Sequence, residues 1–196
     1  MYRTIVVPLD PTGEADAAIA VAAVVSRQAG ATLQLLAVVP ADADVLKPYA
    51  RLAEFTERHG IGAEALVARA DDVASAIVAA AGAPDSLICM DTRARRAIGE
   101  LVLGSVSERV IQEAPRPVLL VGPHCGSAPE RFASMVVGLD GSELAESVLP
   151  VVADWSSQLG ITPWLFQVLS ASVPLELGGD VYESAYVKGI ASALST

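Results

Sequence analysis

Two stretches of this 196-residue chain hold most of the residue types able to grip a ligand, Asp10 and the run from Met90 to Val121. Asp10 follows the apolar run TIVVPL. A carboxylate there can accept hydrogen bonds from a ribose, or it can cap the turn that follows. The second stretch reads MDTRARRAIGELVLGSVSERVIQEAPRPVLLV. Gly104, Ser105, Val106 and Ser107 open a helical pattern within it. A helix start offers free backbone amides and a positive dipole end, both suited to phosphate. Ser105 and Glu108 also have the spacing of a capping box, a purely structural device. Arg93, Arg95 and Arg96 cluster just ahead, where guanidinium groups can neutralise a phosphate tail or simply face water.

Other candidates are sparser. His59 and His124 lie in different segments, so a metal site would need further converging ligands. His124 adjoins Cys125, but adjacency in sequence does not supply nucleophile-base geometry. Cys89 lies in the apolar run LICM and reads as a small buried hydrophobe, and two cysteines make no disulfide framework. Asp71 and Asp72 open a helix and read as caps, with no acid-base role. The chain lacks a G-x-S-x-G elbow, a Walker-type loop and a G-x-G-x-x-G after the first strand, which removes the usual support for a hydrolase or dehydrogenase.

The elements that position these residues follow from hydrophobic period. Apolar runs at Thr4–Leu9, Thr32–Val39, 63–68, 86–90 and 117–121 predict five strands. Between them, residues 14–29, 43–59, 71–81 and Ser105–Glu113 predict four helices, with 91–103 as a loop. Strands apolar on nearly every residue and separated by helices indicate a parallel sheet covered on both faces. Ligands of such sheets sit beyond the carboxyl ends of the strands where strand order reverses, which selects the loops after the first and fourth strands.

The composition, 53% apolar and 18% charged, suits a globular chain with a sizeable core. A net charge of −10 would repel a phosphate backbone or an anionic leaflet, which argues against nucleic-acid and membrane partners. No signal-like segment opens the sequence, and the cysteine usage fits a reducing cytoplasm.

A shift of 130 positions superposes residues 3–39 on 133–169 without a gap. Val6, Val7, Leu9 and Asp10 recur as Val136, Val137, Leu139 and Asp140, and Ser26, Gln28, Gly30 and Thr32 recur as Ser156, Gln158, Gly160 and Thr162. This is an internal repeat. The GP-rich stretch 122–130 reads as a linker, giving a domain over 1–122, a linker over 123–132, and a partial second copy over 133–196. The copy predicts a strand, a helix, a strand and a helix over 181–194, leaving open edges that need cover from more chain or another subunit. Trp155 and Trp164 are expected to fill its core or an interface.

The run 90–121, the VVPLD opening and the tandem repeat together resemble the universal stress protein family over the whole chain. The resemblance implies an α/β fold with a five-stranded parallel sheet, pairing as a homodimer or between tandem domains, and binding of adenine nucleotide, ATP with magnesium. Pro8, Leu9, Asp10 and Val38 would then line the adenosine side, with Gly104, Ser105, Val106, Ser107 and Arg93 toward the phosphates. The family's two early loop glycines fall on Asp91 and Ala94, which predicts a weakened phosphate approach. The function implied is a stress-response regulatory module, with a non-binding dimerisation scaffold and a slow ATPase as the competing readings.

Overall fold

The computed structural model describes residues 1–9, 16–58, 60–92, 104–122, 125 and 127–167. The chain forms two compact units, Met1–Phe132 and Ala133–Thr196.

The first unit alternates β1 (Thr4–Leu9), α1 (Asp16–Ala29), β2 (Thr32–Val39), α2 (Leu46–Arg58), β3 (Ala63–Arg69), α3 (Val73–Ala80), β4 (Ser86–Asp91), α4 (Ser105–Glu113) and β5 (Val118–Val121). The five strands make one sheet in the order β3-β2-β1-β4-β5, with every neighbouring pair parallel. The predicted α/β class and strand number therefore hold.

Alternate side chains of each strand point to opposite faces, so each central strand serves two helix layers. Val6, Leu36, Val38, Ile88 and Met90 pack beneath Ala74 and Ile77 of α3 and Val110 of α4. The intervening Cys89 faces the other way, its thiol 3.6 Å from the Ala18 carbonyl of α1. Ile5, Val7, Leu35 and Ala22 are sealed at 0% exposure. Helix α1 ends at Gly30, whose φ of 64° is the left-handed conformation that stops a helix without a Cβ penalty.

Several boundaries move for local reasons. Helix α2 begins at Leu46 because residues 40–45 turn first, with the Leu46 amide donating to Asp44 Oδ1 at 2.9 Å. Strand β3 gains Arg69, paired with Val39. Asp91, expected to open a loop, is the last residue of β4 and pairs with Val121.

The second unit contains β6 (Ser134–Leu139), α5 (Glu143–Glu146), α6 (Leu149–Leu159) and β7 (Thr162–Gln167), with β6 and β7 parallel. The single helix predicted by the repeat is broken, because Pro150 has no amide to donate and is tolerated only in a first turn. The corner after each long helix is alike in the two units. Ser26 Oγ donates to the Ala31 carbonyl at 2.6 Å and Ser156 Oγ to the Ile161 carbonyl at 2.8 Å. The Thr32 amide reaches the Arg3 carbonyl at 2.8 Å and the Thr162 amide the Ala133 carbonyl at 2.9 Å. Val137, Leu139 and Val152 form the small core of this unit. Trp164 is not in it: Val136, Trp164 and Phe166 stand 75%, 64% and 59% exposed on the opposite face of the two strands. The helix expected over 181–194 lies outside the described residues.

Candidate nucleotide site at the strand switch point

Strand order reverses between β1 and β4, since β1 is flanked by β2 on one side and β4 on the other. The β1–β4 ladder runs from Thr4–Ser86 to Val6–Ile88 and stops there. The β1–β2 ladder continues to Leu9–Ala37, and β4–β5 to Asp91–Val121. The carboxyl ends Val7–Leu9 and Cys89–Asp91 are thus left unpaired with each other while each stays braced by its outer neighbour. That divergence falls at the switch point, beyond whose strand ends this class of sheet binds its ligands in a crevice.

Some of the predicted residues lie at these strand ends. Pro8 and Leu9 are half-buried at the end of β1. Val38, at 8% exposure, and Met90, at 5%, belong to the core beneath α3 and α4.

The residues expected toward a phosphate open α4. Gly104 is its N-cap, with φ −68° and ψ 152° and no side-chain cap hydrogen bond. The capping-box expectation is therefore corrected: Ser105 is already inside the helix and exposed, and the Gly104 carbonyl accepts from the Glu108 amide at 2.9 Å. A glycine cap leaves the first-turn amides without a side-chain acceptor, which suits an anion. Val106 is half-buried and packs on the core. Ser107 is 5% exposed and its hydroxyl donates to the Asp91 carbonyl at 3.3 Å. That bond ties the first turn of α4 to the end of β4, so Ser107 positions the helix. Thr92 adds to the same anchorage, its amide donating to the Val121 carbonyl at 2.9 Å.

Asp91 stands at the position of the family's first glycine. It lies in an extended, paired strand, so its main chain needs no glycine freedom; what it changes near a ligand is bulk and charge. Asp10, Arg93, Ala94, Arg95 and Arg96 lie outside the described residues, as do His59 and His124.

Of the aspartate doublet before α3, Asp72 takes the cap role that its position predicts. Asp72 caps α3, accepting from the Ser75 amide at 3.4 Å and hydroxyl at 3.0 Å. Arg109 of α4 grips it bidentately, at 2.8 and 2.9 Å. This guanidinium, with help from Ser75, holds the Asp72 carboxyl at about 2, and the Arg109 pKa is raised in turn. In the second unit, Asp140 accepts from the Ser142 amide at 2.9 Å, and Ser142 holds its carboxyl below the ordinary range. Burial pushes the Cys89 thiol up to about 12, with the Asp91 charge adding to it, so Cys89 is inert packing. Among the described residues, no cluster of three or more His, Cys, Asp or Glu could hold a metal ion, and no helix is long and apolar enough to cross a membrane.

An all-parallel five-stranded sheet alternating with helices, its strand order reversing between β1 and β4, defines a doubly wound α/β protein. The model of the universal stress protein family matches residues 1–122, and the chain belongs to that family. A universal stress protein of Thermus aquaticus is 38% identical over 136 residues, covering 62% of this chain and 99% of that protein. One of Mycolicibacterium smegmatis is 41% identical over 54 residues, a match spanning 27% of this chain and only 42% of that protein's length. Among solved structures, a universal stress protein in complex with cAMP is 25% identical, with a TM-score of 0.50 over 62% of this chain and 97% of that one.

Proposed function

We propose that the first unit is a regulatory module that takes an adenine nucleotide, ATP with its magnesium, into the crevice between β1 and β4. The observation that carries this reading is the end of the β1–β4 ladder at Val6–Ile88, with the glycine-capped start of α4 tied to the end of β4 through Ser107 and Asp91. The adenosine would lie against Pro8, Leu9, Asp10 and Val38, and the phosphates over the first-turn amides from Gly104 to Ser107, with Arg93 as a further anion contact. The cAMP complex of a relative supports the choice of an adenine ligand. Magnesium enters as the counter-ion that ATP brings.

Asp91 favours a second reading, a module that has lost the nucleotide and acts through pairing, with another copy or with residues 133–196 as the first half of a second domain. The carboxylate at a glycine position narrows and charges the phosphate end. Calorimetric titration of Mg-ATP into the chain and into its Asp91→Gly, Ala94→Gly variant separates the two. Binding by both supports the nucleotide module. Binding by the variant alone supports the scaffold, and binding by neither ends the nucleotide reading. Phosphate release over hours in the same samples would be needed to sustain an ATPase.

A further inference from the structure

The crevice has two walls that the sheet itself does not join, the carboxyl end of β2 on the adenosine side and helix α4 on the phosphate side. The turn between β3 and α3 touches both. Asp71 accepts from the Ala41 amide, just beyond β2, at 3.4 Å. Asp72, its neighbour, is held by both terminal nitrogens of Arg109 on α4, at 2.8 and 2.9 Å. Arg109 in turn bonds Glu113 one helical turn on, through Nε at 3.1 Å and a terminal nitrogen at 2.6 Å. Ser75 Oγ lies 3.0 Å from Asp72 and 3.4 Å from Glu113. An isolated exposed ion pair would count for little, but a guanidinium forked between two carboxylates has the fixed geometry that such pairs lack.

We infer that Arg109 and Asp72 form a strap that sets where α4 stands relative to the β3–α3 turn, and so fixes the distance between the two walls. Arg109 is a positioning residue, all three of its guanidinium nitrogens engaged by the Asp72 and Glu113 carboxylates. The consequence for ligand affinity rests on the nucleotide reading above; the strap itself does not. Because α4 also carries the Ser107 bond to Asp91, the helix is located at two points, its first turn by β4 and its second by the start of α3.

Asp72→Ser separates the strap from the cap, since a serine oxygen still caps α3 but cannot hold Arg109. Arg109→Gln removes the strap from the other side. Native-state hydrogen exchange on the ligand-free chain is expected to speed the amides of residues 108–111 by about fivefold in each variant, with β1 and β4 unchanged. The double variant should exchange no faster than either single one. Mg-ATP affinity should weaken by about three- to tenfold in both, less in Arg109→Lys, which keeps the charge but loses the fork.

Unchanged exchange in α4, or a rise spread equally over the sheet, would overturn the strap. Faster α4 exchange with unaltered Mg-ATP affinity would overturn its role in spacing the walls. If the parent chain itself takes up no Mg-ATP, the nucleotide reading fails, and the exchange data decide the strap alone.

Discussion

Ile77 is the residue on which the closure of α3 over the sheet depends most directly. It is 2% exposed and shares one core with Leu36 and Val38 of β2 and Val110 of α4. Ile77→Ala removes three carbons, each contributing ~0.8 kcal/mol of transfer free energy. A rigid two-layer packing collapses incompletely around the hole, and a residual cavity of about 50 Å³ adds ~1 kcal/mol. The expected loss is about 3.5 kcal/mol. Val73→Ala on the same helix is the control, because Val73 is 38% exposed and loses fewer contacts. It should lose less than about 1 kcal/mol. The two units need not unfold together, so the assay is native-state hydrogen exchange of the β1 amides, which reports opening of the first unit alone. A loss below about 1.5 kcal/mol for Ile77→Ala, or one no larger than that of Val73→Ala, would refute the packing of α3 described above.

The Asp72 carboxyl is held at about 2 against an ordinary value of 3.8, so its contribution to stability is present above pH 4 and lost as pH falls through 2. Thermal melts of the parent and Asp72→Asn should therefore differ at pH 6 and converge toward pH 2. Iodoacetamide at pH 8 should label the exposed Cys125 and spare Cys89, whose thiol is buried and pushed up to about 12, as peptide mass spectrometry will show. Gln28 accepts from the Phe132 amide at 2.7 Å and donates to its carbonyl at 3.0 Å. Gln28→Ala should destabilise the first unit by about 1–2 kcal/mol and speed exchange of the Phe132 amide, measured in the same experiment.

The order of elements in the first unit was legible from the chain alone, because buried parallel strands and amphipathic helices have different hydrophobic periods and these segments keep them. Thr4–Leu9, Thr32–Val39 and Ser105–Glu113 stand where their patterns put them. The corners after α1 and α6, which the sequence match sets in register, carry matching serine bonds. Boundaries that depend on pairing were not legible. Asp91 is polar and looks like a loop residue, yet its main chain is claimed by Val121 of β5, a partner thirty positions away. Trp164 looks like core, yet its strand has a helix on only one face among the described residues.

Which residues end at the carboxyl edge of the sheet follows from the chain alone, since a strand's direction and its following loop are local properties. Only the tertiary structure decided that β1 and β4 part after Val6 and Ile88, that Ser107 spends its hydroxyl on Asp91, and that Arg109 reaches Asp72. Each of these is a meeting between segments far apart along the chain. Such meetings depend on how the helices seat on the sheet, which local propensity does not encode.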